Sequence, residues 1–296
     1  MRRRAVQLTD YLEHFWEQKV MKRTAGSALV IIYVLMLGLI ELNRWGLLPE
    51  QLATITPTNH FYAVEIAFTV LLFTEVVSLI FGLTRSFSRS IGIQLEILCL
   101  ILLRDTFKQF TSFSEPLEWE QVINGVIPMI VEGIGALAIF IIIGLYYRAQ
   151  KRNPITNDEI EKSQFIANKK LIALGLIVVL GLIGIIDIIR ILMGQVPYPF
   201  FETFYTVLIF TDVLMVLLSL RYTNSFAVTF RNFGFSVVTV FIRITLIAPP
   251  LPGVLMGIGT ALFALSLNHA YNTIGIYIVQ ETQELEKHTA KADSPG

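Results

Sequence analysis

The chain has 296 residues, of which 54% are hydrophobic and 16% charged, against roughly a quarter charged in an ordinary soluble domain. Apolar residues gathered into long blocks with so little charge define an all-α integral membrane protein. Lys plus Arg equals Asp plus Glu at 23 each, so no basic surplus points to nucleic acid. The single Cys99, inside an apolar run, excludes an internal disulfide framework and a thiolate metal cluster and reads as a small core residue.

The basic start, MRRR, is not followed by a small-residue cleavage site, and the first apolar block begins only near Ala25; no removable signal peptide is expected. Leu8, Tyr11, Leu12, Phe15, Trp16 and Val20 instead recur at helical spacing behind Thr9 and Asp10. They predict an amphipathic helix lying on the membrane surface. Spanning helices need about 20 apolar residues, and eight such blocks lie near residues 24–43, 61–83, 88–107, 123–147, 169–192, 200–221, 226–247 and 252–275. The third is the weakest, being short in its apolar part and carrying Gln94 and Glu96.

A twelve-residue stretch occurs twice. EIAFTVLLFTEV, Glu65 to Val76, returns as ETFYTVLIFTDV, Glu202 to Val213, with seven identities and with Glu75 answered by Asp212. The match extends along the chain. Glu41 and Arg44 fall on Asp187 and Arg190, Arg104 and Thr106 on Arg243 and Thr245, Pro128 with Gly133 and Gly135 on Pro252 with Gly257 and Gly259, and Tyr147 on Tyr271. Asn157 to Glu161 also resembles Thr9 to Glu13 in capping pattern. The expectation is two parallel repeats, each a cytoplasmic amphipathic helix followed by four transmembrane helices: residues 1–150, then 151–280, with a polar tail at 281–296. Four spans per unit return the chain to its starting side, so the units share one orientation.

Basic residues set that orientation. Arg2, Arg3, Arg4, Lys19, Lys22 and Arg23 precede the first span, Arg148, Lys151, Arg152, Lys162, Lys169 and Lys170 crowd the middle, and Arg85, Arg89, Arg221 and Arg231 flank the turns on the same side. By the positive-inside rule both termini are cytoplasmic, and the localisation expected is the cytoplasmic membrane. The loop with Glu115, Glu118 and Glu120 then faces out, with Trp45 and Trp119 in the outer interface.

Two groups of charges follow from helical rise. Glu41, Arg44, Glu65, Arg104, Asp187, Arg190, Glu202 and Arg243 fall within a turn or so of the outer surface, and their balanced signs predict structural ion pairs. Glu75, Glu96, Glu132 and Asp212 lie deeper, without basic neighbours in sequence. They are the candidates for a proton or cation path; the alternative for each is a carboxylic acid hydrogen-bonded to Thr69, Thr74 or a carbonyl. Because Glu96 and Glu132 are replaced by Phe235 and Met256 at the matched positions, the first unit is the better candidate for a site. Pro128 and Pro252 should interrupt their spans, and the glycines that follow predict close helix crossings.

The chain lacks HExxH, CxxC, a nucleophile elbow and a Gly-rich phosphate loop, so no catalytic set or metal site is expected. His14, His60, His269 and His288 are not opposed as haem ligands would be, and no cofactor is expected. The sequence therefore points to a multi-pass ion channel or transporter using intramembrane carboxylates. The alternative is a non-catalytic structural or anchoring subunit of a membrane complex. Expected partners are membrane lipid and further protein subunits, a second copy of the chain among them.

Overall fold

The computed structural model describes residues 2–85, 87–150, 159–193, 195–196, 198–222 and 226–275, and all of their regular structure is helical. The order is α1 (Arg2–Glu17), α2 (Lys19–Arg44), α3 (Glu50–Ala53), α4 (Phe61–Gly82), α5 (Phe87–Lys108), α6 (Trp119–Ala149), α7 (Glu159–Leu192), α8 (Phe200–Ser219), α9 (Phe226–Ile247) and α10 (Pro250–Ala270). A 3₁₀ turn at Gln109–Ser112 follows α5, and a π turn at Tyr271–Gly275 follows α10. Apart from α1 and α3, the helices run alternately away from the end of the bundle occupied by α1 and back to it. We call these the α1 end and the distal end.

Seven of these helices, α2, α4, α6, α7, α8, α9 and α10, are long and apolar enough to cross a membrane, and the protein is an integral membrane protein. The exception is α5, where the third span was expected. Its 22 residues would extend about 33 Å at 1.5 Å per residue, but Arg89, Gln94, Glu96, Arg104, Asp105 and Lys108 lower its apolarity. The reason is tertiary. Helices α4, α6, α9 and α10 pack around α5, so much of its surface meets protein instead of lipid, and polar side chains there find partners that lipid cannot supply.

Sequence accounts for the ends. Helix α2 stops at Gly46, whose φ of 68° only glycine adopts without strain, and the amide of Leu47 returns to the carbonyl of Leu42 at 3.0 Å. Pro250 and Pro252 stand in the first turn of α10, where a missing N–H breaks no helical bond. Pro252 therefore starts its helix, contrary to the expected interruption, whereas Pro128 lies inside α6.

Two apolar clusters hold the bundle. Leu95, Leu98, Ile139, Tyr146, Phe235, Val238 and Ala264 join α5, α6, α9 and α10. Leu72, Val76, Leu79, Ile101, Leu176, Leu180, Phe204 and Leu208 join α4, α5, α7 and α8. In lipid, shape and close approach drive such contacts more than water exclusion does. The α6/α10 crossing illustrates this: a Cβ on Gly135 would stand 2.4 Å from Val254, and one on Gly257 would stand 3.0 Å from Ile139. Gly133 and Gly259 face open space, so each helix uses one glycine of its Gly-x-Gly pair for the crossing. By contrast, α2 rests on α4 and α1 at the edge, with only 6% of its apolar window buried.

Helix α1 lies against α7 and the start of α2. It exposes Leu8, Tyr11 and Phe15 and turns its polar side to the protein. Thr9 donates to the carbonyls of Ala5 and Lys170, Asp10 pairs with Lys170, Thr84 donates to Glu13, Glu17 pairs with Arg85, and the Trp16 indole donates to Ser78 at 3.0 Å. An amphipathic helix with its apolar face outward and its acids on the bundle fits the sequence pattern. The second surface helix expected at Asn157–Glu161 lies partly outside the described residues. Within them, Glu159–Glu161 opens α7, which runs without a break to Leu192.

Candidate functional site

The central polar site is built from three helices. Asp212 on α8 is 4% exposed and Arg243 on α9 is fully buried. Their nearest charged atoms, Arg243 Nη2 and Asp212 Oδ2, are 3.7 Å apart, an ion pair but too long for a hydrogen bond. Helix α5 completes the set. Arg243 Nη2 donates to Gln94 Oε1 at 3.0 Å, and Gln94 Nε2 donates to Ser90 Oγ at 3.2 Å. Thr239, one turn below Arg243, also reaches the Asp212 carboxylate. Asp212 Oδ2 and Arg243 Nε and Nη1 have no hydrogen-bond partner among the described residues.

This arrangement answers a length argument. Arg243 lies four residues from the distal end of α9, and the sequence places it at the outer level among ion pairs. The side chain instead turns inward and carries the guanidinium to the level of Asp212, a proposed path residue without a basic neighbour in sequence. Thus one member of each predicted group meets in one cluster. Beside it is a cavity of about 20 Å³ lined by Ser90, Gln94, Lys169, Asp212, Ser236 and Thr239 together with Leu83, just past α4, and apolar side chains of α5, α8 and α9.

The other deep acids lie elsewhere. Glu75 on α4 and Glu132 on α6 are 8% and 4% exposed, each with Oε2 unpartnered. Both are within electrostatic range of the Arg104 and Asp105 pair at the distal part of α5, and Glu132 also senses Lys108. Arg104 binds its neighbour Asp105 through Nε at 3.0 Å and through Nη2. Glu96 is different again. It is exposed on the outer face of α5 and accepts a hydrogen bond from the Tyr147 hydroxyl at 2.8 Å, whereas its sequence match Phe235 is fully buried. The Glu96/Phe235 difference therefore reflects two environments, not one site kept in one copy.

At the distal end the expected pairs are rearranged. Glu41 meets His60 Nε2 at 3.0 Å, Glu115 meets His60 Nδ1 at 2.9 Å and accepts the His60 backbone N–H at 2.9 Å, and Arg44 donates to Glu115 at 3.0 Å. Burial alone would raise the Glu115 carboxyl, but these hydrogen bonds and the charges of His60 and Arg44 hold it below the ordinary carboxylate range. Asp187 accepts the Tyr198 backbone N–H at 2.6 Å, and Arg190 lies over the Tyr198 ring. Glu65 and Glu202 make no ion pair among the described residues.

Sequence reasoning missed Gln94, Lys169, His60 and Glu115 as partners. Gln94 was visible as a polar residue in an apolar block, but nothing linear ties it to Arg243. Among the described residues no group of three or more His, Cys, Asp and Glu side chains is placed to hold a metal ion. No family model, curated protein or solved structure matches this chain.

Proposed function

We propose that the protein carries protons across the membrane through the centre of the bundle, with Asp212 as the exchanging carboxylate and Arg243 as its fixed counter-charge. One observation carries this reading: a buried acid with an unpartnered oxygen beside a cavity of about 20 Å³. That volume admits about one water and excludes a hydrated cation. A guanidinium 3.7 Å from the carboxylate further disfavours a metal ion and is compatible with a proton. Glu75 stands level with Asp212 on the matched helix, Glu132 extends the path toward the distal end, and Glu96, on the outer face, stands outside it.

The topology belongs to the same proposal. Helix α5 serves as an eighth span, the termini are cytoplasmic, and the two halves are parallel repeats in a cytoplasmic membrane. Supporting the repeat, helices matched in sequence have matched neighbours: α4 packs on α5 and α5 on α6, as α8 packs on α9 and α9 on α10. The pairs α5/α9 and α6/α10 join the halves.

The test is proton flux into liposomes under a pH gradient or potential. Wild type should exceed empty vesicles, Asp212→Asn should lose most of that excess, and Glu96→Gln should keep it. No wild-type flux under any gradient would sink the proposal. The second reading, an anchoring subunit, draws on α2, whose apolar surface is almost wholly unpacked. Purification from native membranes with fixed partners would favour it.

A further inference from the structure

The cavity at Asp212 has a second ionisable wall. Lys169, on the part of α7 nearest the α1 end, lines it together with Ser90, Gln94, Ser236 and Thr239. Lys169 is only 2% exposed; its Nζ donates to the Arg85 carbonyl at 2.6 Å and lies over the Phe165 ring. A lysine in the basic middle segment reads from sequence as a solvated topogenic charge. Here it is folded inside the bundle instead, and burying an ammonium is costly unless it is used or neutralised.

The approach to Lys169 is acidic. Asp10, Glu13 and Glu17 stand three and four residues apart on one face of α1, which brings them into one row. The row docks on Lys170, Thr84 and Arg85, the neighbours of Lys169 and of the carbonyl that holds it. Lys169 beneath these carboxylates, a hydroxyl- and amide-lined cavity, and then Asp212 form a series of ionisable and polar groups from the α1 end inward. A water in that cavity requires two to four polar partners. Asp212, Gln94, Ser90 and Thr239 can supply them.

We propose that Lys169 is the proton-relay residue between the α1 end and Asp212, acting through one water in the shared cavity; this rests on the proton-carrying reading above. In the step, the Lys169 ammonium gives a proton to the water as that water gives one to the Asp212 carboxylate. A charged pair becomes a neutral amine and a neutral acid, so the net charge of the site is unchanged. The amine then takes a proton from hydronium at the α1 end, leaving water, and Asp212 gives its proton on toward the distal end; flux in the other direction reverses each transfer. Arg243 stays protonated throughout.

The experiment uses the full chain in liposomes with a trapped pH dye, with thermal unfolding in detergent as the check on folding. Lys169→Met should lower flux at least tenfold, while Lys170→Met, one residue along and facing Asp10, should change it less than twofold. Lys169→Arg separates relay from simple charge: it keeps the positive charge but does not release its proton, so the relay requires loss and a purely structural charge requires rescue. Wild-type flux in Lys169→Met, or rescue by Lys169→Arg, overturns the relay. Should Lys169→Met fail to fold, Ser236→Val keeps the lysine and removes room for the water; unchanged flux there overturns the relay as well. Loss of flux in Asp212→Asn with none in Lys169→Met overturns the relay alone, whereas absence of wild-type flux overturns the underlying reading.

Discussion

Glu75 with Arg104 and Asp212 with Arg243 are each an acid and an arginine at positions matched in sequence, yet they end in different states. Arg243 is fully buried and reaches Asp212 and Gln94. Arg104 is held by Asp105, its side chain 13% exposed, and Glu75 keeps an unpartnered oxygen. Two local substitutions account for the difference. Asp105 is matched by Ile244, so Arg243 has no acidic neighbour to hold it at the distal end. Gln94 is matched by Phe233, so only one of the two arginines finds an amide across the α5/α9 contact. A matched pattern of charges in sequence thus does not fix an ion pair, because the nearest competitor decides where a long flexible side chain goes.

The largest effect should come from breaking the buried pair. Arg243→Met strands Asp212 and should destabilise the protein by about 3–5 kcal/mol, whereas Arg104→Met should cost about 1 kcal/mol or less because the Arg104 pair is partly exposed and local. Denaturant or thermal unfolding in detergent checks both; equal losses would erase the distinction between the halves. Asp212→Leu combined with Arg243→Met should recover much of the loss, since replacing both charges removes the stranded one.

Helices α6 and α10 provide a second contrast, with a smaller effect. Gly135→Ala drives a methyl into Val254 and should cost about 1–3 kcal/mol. Gly259→Ala, at the matched position, meets nothing and should be neutral or slightly stabilising. A comparable loss in both would show that the crossing is not set by this contact.

Asp105→Ile sharpens the main comparison by making the first half resemble the second. Arg104 is then free to turn toward Glu75, and the Glu75/Arg104 coupling in a double-mutant cycle should rise from near zero to about 1 kcal/mol. A coupling that stays at zero would assign the difference to Gln94 and Phe233 instead.

The smallest effect concerns the distal clasp, where His60 and Glu115 close the first half and Tyr198 closes the second. Because the folded carboxyl of Glu115 sits below its ordinary range, its contribution is present above the unfolded value and is lost as pH falls through the folded one. Unfolding temperature should therefore drop more steeply across the acid range in wild type than in Glu115→Gln. Parallel curves would remove Glu115 from the acid response.

Much of this was legible in linear form. Apolar blocks of sufficient length dictate helices that cross a membrane, since lipid offers backbone groups no other partner. The amphipathic α1 and the choice of Asp212 and Arg243 as charges to explain follow from local spacing and from the cost of charge in an apolar run. What the sequence could not reveal is who meets whom. Gln94 and Arg243 are separated by 149 positions, Lys169 lines the cavity of Asp212 from a different helix, and Glu96 faces outward although it stands in the same helix as the buried Gln94. Composition and periodicity are properties of one helix and determined the class of the molecule. Burial, side-chain direction and the choice among competing partners depend on how several helices pack, so only the tertiary structure decided which charges came together.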